Sequence, residues 1–445
     1  MKLSRLGSPS FYIALAAICK FALHMATAGQ YGIFIDELYF LDCAKHLDWG
    51  YVDQPPLIGV LALISNSLLG GSLYGLRLLP ALSGAGMILV GADICKELGG
   101  KSLAQILTAF ALIPIPIYLM LNHWLTMNAF EPLIWMGVIS LSLKMINRQQ
   151  PRLWLVIGLI CGLGMENKYT MLLPIFGLLF GLFITPQRKL MANHWFILGL
   201  LIGFVVFLPN LIWLIQHHFP FLEFEHNARL DQAQIKRNPI IFLADQIMIM
   251  NPVLFPVWAA GLWWLMRDER ARPYRYLAWF FSALFIGLML IQAKNYYLSP
   301  AYPVLIAAGA VAFEQFRPSR IHVQTYAASL MASGLILAPF VMPILPINSF
   351  IAYQKAFGGF RPVIIEHNDT GQLPLQFASE FGWEDMARQT AKLYYSLPKS
   401  EREKTAIFAN HYGQAGAIDY YGPKYGLPTA ISHHMTYWLW GPQKL

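Results

Sequence analysis

Long apolar runs recur from one end of this chain to the other, separated by short basic clusters, and that alternation limits the fold more than any motif does. A helix of about 20 apolar residues spans the ~30 Å hydrocarbon core of a bilayer and satisfies its own backbone polar groups there. The runs fall at about 77–96, 103–121, 127–146, 153–167, 170–184, 195–215, 240–266, 276–292, 301–315 and 322–346. A further run lies in MKLSRLGSPSFYIALAAICKFALHMATAG, which has the basic start and small residues (Ala26, Ala28) of a cleaved signal. It reads instead as an uncleaved first helix, because the apolar stretch continues through Lys20 and more spans follow. The expectation is a polytopic α-helical membrane protein with about eleven transmembrane helices. With 13% Asp, Glu, Lys and Arg and a mean hydropathy of +0.47, the pI near 9.2 reflects loop charge and implies no nucleic-acid partner.

Basic residues cluster where cytoplasmic loops would be if the N-terminus is inside. Lys2, Arg5, Lys96, Lys101, Lys144, Arg148, Arg152, Arg188, Lys189, Arg267, Arg270, Arg272, Arg275, Arg317 and Arg320 then lie in the cytoplasm, fifteen in all. Seven lie opposite: Lys45, Arg77, Lys168, Arg229, Lys236, Arg237 and Lys294. The run Leu153–Thr185 would be about 50 Å long as one helix, too long for one crossing. Two short helices meeting at Lys168 keep both flanking basic clusters inside and leave Lys168 at membrane depth, where charge is costly and normally faces a cavity or a partner.

Past Ile347 the long apolar runs stop. Residues 1–347 read as a membrane domain and 348–445 as a small α/β domain on the outer side, with a helix in WEDMARQTAKLYYSL, a strand in KTAIFANHY and another helix after a Gly-rich turn. At under 100 residues this segment holds only a modest core and is expected to dock on the membrane part. Cys19, Cys43, Cys95 and Cys161 are scattered, so neither a disulfide nor a zinc site is expected.

Chemistry concentrates in the first loop, QYGIFIDELYFLDCAKHLDWGYVDQPPL. Asp36 and Glu37 admit two readings, an acidic pair capping a helix or a general base that takes a proton from an attacking hydroxyl. Asp53 and Gln54 precede a Pro pair that would open a helix at Leu57, with Asp53 also a candidate acceptor-site group. Glu131, before Pro132, is either a first-turn acid favoured by the helix dipole or a second carboxylate facing Asp36. His123, a turn earlier, reads as interfacial. Lys168 and Lys294, at the ends of helices and beside Tyr296 and Tyr297, would make a phosphate-binding cluster, with Arg77 as a third cation. HHFPFLEFEH has metal donors but matches no standard site spacing, and there is no Walker motif and no GxGxxG.

DELYF, WGYVDQPPL, FEPL, GLGMENKYT and KNYYLSPAYP together resemble the bacterial members of glycosyltransferase family 39, GT-C fold relatives of the protein O-mannosyltransferases and the lipid A aminoarabinose transferases. FGW followed by IFANHYGQAGAIDYYGPKYGLP resembles the outer domain of many such chains, which commonly continue past the point reached by TYWLWGP. The resemblance implies a hexosyl- or pentosyltransferase of the bacterial inner membrane and cell envelope. It would move a sugar from an undecaprenyl-type polyprenyl-phosphate donor to a lipid, glycan or protein acceptor, with its active site facing the periplasm. It places Asp36 as the base with Glu37 beside it, Glu131 at a site acid, and Lys168, Lys294, Arg77 and Tyr297 at the carrier phosphate. Asp53, Gln54, Tyr39 and His123 would line the acceptor side. No cofactor is required by such chemistry, and Asp36 with Glu131 leaves room for a divalent cation. A transporter or flippase of a lipid-linked or anionic substrate is the rival from another class, although the repeated halves common in transporters are missing.

Overall fold

The computed structural model describes residues 8–68, 70–231, 238–359 and 371–442. Lys2, Arg5, Lys236, Arg237 and the side chain of Arg229, five of the residues used to orient the chain, lie outside them, as do residues 360–370 and 443–445 of the C-terminal segment.

The chain opens with α1 (Pro9–Thr27), whose buried residues Ala16, Ala17, Lys20, His24 and Thr27 recur at helical spacing. This face packs on α4 (Leu73–Glu97) and α5 (Ser102–Ala111). Between them lie α2 (Ile35–Lys45) and α3 (Leu57–Leu68), the latter an apolar helix too short for a full crossing. After α6 (Pro116–Leu121) come α7 (Glu131–Arg148), α8 (Leu153–Asn167), α9 (Leu172–Phe183), α10 (His194–Gln216) and α11 (Pro220–Asp231). The bundle is completed by α12 (Pro239–Ile249), α13 (Phe255–Arg267), α14 (Arg275–Leu290), α15 (Tyr302–Gln315) and α16 (Arg320–Leu337).

Seven helices among the described residues are long and apolar enough to cross a membrane, eight if one bent pair is taken as a span, with four shorter apolar helices beside them. The difference from the expected eleven has local causes. The run 103–121 breaks into α5 and the six-residue α6 at Pro114 and Pro116, since Pro has no N–H and forces the preceding residue away from helical backbone. The run 240–266 bends by 100° between α12 and α13, where Asn251 has φ +70° and leads into Pro252. The run 153–184, by contrast, divides at Lys168 as expected, the extended backbone there separating α8 from a 3-10 turn, Tyr169–Met171.

Helices α8 and α10 meet through glycine: a Cβ on Gly158 would stand 2.0 Å from the Gly199 carbonyl oxygen. Small residues let helix backbones approach this closely in lipid, where no hydrophobic difference drives association.

Beyond α17 (Ile347–Ala356), the described C-terminal segment carries α18 (Leu375–Ala378), α19 (Trp383–Ser396), α20 (Lys399–Arg402), β1 (Ile407–Ala409), α21 (Tyr412–Tyr421), β2 (Ala430–Ser432) and α22 (Tyr437–Trp440). The strands pair in parallel, Ile407 with Ala430 and Ala409 with Ser432, across the α21 connection. This segment shares a core with the first loop: Leu38, Tyr39, Phe40, Tyr51 and Ile58 are buried together with Ala387, Ala415, Ile418 and Tyr437. The contact of α21 with α2 is close because a Cβ on Gly413 would lie 2.4 Å from the Ile35 side chain.

Candidate active site

The two acids of DELYF separate. Glu37 is the third residue of α2, and its Oε2 accepts from the Phe34 N–H at 2.9 Å, the capping expected of a carboxylate there. Its Oε1 accepts from the Leu125 N–H at 3.0 Å, and both oxygens meet Arg77. Asp36 is rotated to another face of α2 and is half-buried, and its Oδ1 accepts from the Tyr412 hydroxyl at 2.7 Å. Tyr39, one turn on, donates to Asp53 Oδ1 at 2.6 Å. Its single proton is then spent, so the Thr436 hydroxyl at 2.5 Å donates to Tyr39, and the Val52 N–H donates to Thr436 Oγ1 at 3.1 Å. The Tyr39 and Tyr412 rings pack at 5.2 Å, so Asp36 and Asp53 sit side by side on one aromatic wall.

Burial pushes the Asp53 carboxyl up to about 6, and the nearby negative charge of Asp36 adds to the rise. Behind Tyr412, His434 Nδ1 accepts from the Tyr412 N–H at 3.3 Å and His411 Nδ1 from the Gly413 N–H at 3.1 Å. Both roles need neutral rings, and burial lowers both, His411 to about 4.

A second cluster surrounds Lys168. Its ammonium donates to Asn128 Oδ1 at 2.6 Å, stands 3.5 Å from Glu131 Oε2, and lies 4.8 Å over the Tyr297 ring and 5.5 Å over Tyr296. Lys294 is near enough for the two cations to interact. Glu131 begins α7, and its Oε1 accepts from Thr170 at 2.5 Å. Tyr169 links the clusters: it follows Lys168, donates to Asn210 Oδ1 at 3.1 Å, and feels the charge of Asp53. An apolar groove of about 230 Å³ between α8, α9 and α10 reaches Met165, one turn from Lys168.

Several sequence expectations change. Arg77, expected at the phosphate, is 1% exposed with all three guanidinium nitrogens engaged. Nη1 donates to the Ala28 carbonyl (2.7 Å) and His123 Nε2 (3.2 Å). Nη2 donates to the Gly32 carbonyl (2.7 Å), Glu37 (3.2 Å) and Glu380 (3.0 Å), and Nε completes the pair with Glu37. No donor is left for a phosphate, so Arg77 and Glu37 hold the first loop to the bundle rather than face a ligand. His123 is buried against Arg77, not interfacial. Gln54 is likewise fully buried, its amide turned toward Cys43 Sγ at 3.7 Å. Glu131 belongs to the Lys168 cluster, and the carboxylate beside Asp36 is Asp53. Tyr412, Thr436 and Asn128 were not foreseen as site residues, although Tyr412 lies in the quoted IFANHYGQAG string. Among the described residues no three His, Cys, Asp or Glu side chains converge on a metal site.

A polytopic helical bundle with an acidic first loop and a small C-terminal α/β segment over it is the architecture of the GT-C membrane glycosyltransferases. The chain has the GT-C fold. Residues 53–213 match the dolichyl-phosphate-mannose-protein mannosyltransferase family. The lipid A galacturonosyltransferase RgtD of Rhizobium johnstonii is 26% identical over 272 residues, 59% of this chain and 56% of that protein, so the match spans about half the relative's length. The structure of ArnT from Cupriavidus metallidurans bound to undecaprenyl phosphate shares the fold with a TM-score of 0.62 at 15% identity, over 96% of this chain and 86% of that one. The oligosaccharyltransferase of Archaeoglobus fulgidus aligns with a TM-score of 0.54 at 13% identity, over 90% of this chain and 60% of its own.

Proposed function

We propose that the protein is a glycosyltransferase that uses a polyprenyl-phosphate sugar, with Asp36 as general base and Lys168 and Lys294 at the carrier phosphate. The observation that carries this reading is the separation of labour between the two clusters. Half-buried carboxylates stand on one side of Tyr169 and a pair of cations framed by Tyr296 and Tyr297 on the other. Asp36 takes the proton from an acceptor hydroxyl whose oxygen attacks the anomeric carbon, and the bond from that carbon to the phosphate oxygen breaks. The carrier leaves as its phosphate, and the fixed charge of the lysines stabilises it, commonly the largest catalytic contribution. One displacement inverts the anomeric centre. The isoprenoid tail would follow the apolar groove that ends near Lys168. The site would face the periplasm, and the acceptor would be lipid A or a similar molecule, as the name of the galacturonosyltransferase suggests. The mechanism calls for no cofactor, and transfer with and without a chelator tests for a divalent cation.

Lys168→Ala should weaken carrier binding by about 2–3 kcal/mol, the loss of charge-assisted contacts to phosphate. Titrating undecaprenyl phosphate into purified wild type and variant measures this, and equal affinities would remove Lys168 from the donor site.

The pH dependence has a definite sign. The base must be ionised to act, so transfer should rise with pH as the base loses its proton. Asp53→Asn removes a neighbouring negative charge and should move the inflection to lower pH. A profile of initial rates from pH 4.5 to 8 checks both, and an inflection unmoved in Asp53→Asn would uncouple the two acids.

A further inference from the structure

A second pocket, outside both clusters, lies between the loop after α2 and the end of α10 nearest it. It is about 470 Å³ in volume, within the range of small-molecule sites. Its walls are amphipathic. Asp48, Trp49, Trp213 and His217 form one half, and Val205 and Ile212, exposed apolar side chains on α10, form the other. Trp49 is 61% exposed and turns a large indole toward the pocket.

The polar half is held rigidly. Asp48 Oδ2 accepts from Trp213 Nε1 at 2.9 Å, His217 stacks on Trp213 at 4.0 Å, and Asn210 Nδ2 donates to the Trp49 carbonyl at 2.7 Å. Gly50 allows the loop to lie on the indole, since a Cβ there would be 2.3 Å from the Trp213 ring. A site held in its binding geometry loses less ordering entropy when a ligand arrives.

The chemistry selects the ligand. No Lys or Arg is among the described residues lining the pocket, and Asp48 repels anions, so the carrier phosphate has no partner here. An exposed indole beside a carboxylate and an imidazole suits a sugar ring, whose C–H face stacks on Trp49 while its hydroxyls reach Asp48 and His217. The apolar half on α10 suits a lipid chain leaving that ring toward the bilayer. Asn210 ties the pocket's loop to the candidate active site, because its Nδ2 donates to the Trp49 carbonyl and its Oδ1 accepts from the Tyr169 hydroxyl.

The geometry points to a docking site for an uncharged sugar ring of a membrane glycolipid, any phosphate groups of the acceptor lying outside it, through which the acceptor reaches Asp36 sideways from the bilayer. This deepens the proposed transferase reading and rests on it for the word acceptor. The experiment uses the full chain in phosphatidylcholine nanodiscs and a monoglucosyl diacylglycerol bearing a diazirine beside its glycerol. Mass spectrometry should place the cross-links in residues 45–50 and 205–217. Unlabelled glucolipid should compete and phosphatidylglycerol should not, and Trp49→Ala and His217→Ala, with unchanged melting temperatures, should lower labelling about tenfold. Labelling spread evenly around the bundle, or displaced equally by phosphatidylglycerol, overturns the site. Asp36→Asn separates the two readings, because cross-linking there should persist whatever happens to transfer. In transfer assays Trp49→Ala should raise the acceptor KM about tenfold, with the effect on KM rather than kcat. An unchanged KM beside intact transfer would remove the pocket from the acceptor path and leave the transferase reading standing.

Discussion

Asp36→Asn should reduce sugar transfer by about 10²–10⁴-fold, the usual contribution of a positioned general base. The amide keeps the shape of the side chain and can still accept from the Tyr412 hydroxyl, so folding and carrier binding should survive. The measurement is transfer from a radiolabelled polyprenyl-phosphate donor pool in membranes, wild type against variant. Label moving only with the wild type would identify the base, and the labelled product would name the acceptor class. Equal transfer by both would remove Asp36 from the mechanism. Transport of a lipid-linked substrate with no transfer by either would favour the transporter reading. Tyr412→Phe should have a smaller effect of the same sign, since it removes one hydrogen bond to Asp36 without removing the base.

The second large effect concerns Arg77 and is one of stability. Arg77→Ala leaves the carboxylates of Glu37 and Glu380 buried without their cation, and it leaves the Ala28 and Gly32 carbonyls without a donor. Removing one partner from a buried ion pair typically costs about 3–5 kcal/mol. The expected result is a marked fall in melting temperature in detergent and in the yield of folded protein. A phosphate-binding role predicts instead a well-folded protein with weakened affinity for undecaprenyl phosphate, so one preparation measured both ways decides between them. The double variant Glu37→Gln, Arg77→Met should recover part of the loss, because it leaves fewer uncompensated charges buried than Arg77→Ala does.

Much of the site was legible as residue types and spacing, and less so as roles. DELYF marked the position of the proposed base, yet nothing local says that Asp36 would face the Tyr412 hydroxyl while Glu37 turned inward. Adjacent residues on a helix point about 100° apart, and the chain 376 residues downstream decides which of them meets a partner. Arg77 looked like a free cation at a helix end. Its role depends on Glu380, 303 residues away, whose carboxylate completes the ring of acceptors around it. Lys168, by contrast, could be placed at a break from the length of its apolar run alone, because a single helix would have been too long for the membrane. The breaks at Pro114, Pro116 and Pro252 were equally written in the chain, although the apolar runs across them concealed their effect.

By itself, the sequence determined that this protein is a polytopic helical bundle with an acidic loop at its first turn. Those properties depend on local composition and on the thickness of a bilayer, and both can be read within a window of about 20 residues. Only the tertiary structure decided which charges gather in the candidate site and which hold the fold together. A buried charge is stable only where its partners converge, and here those partners come from distant parts of the chain.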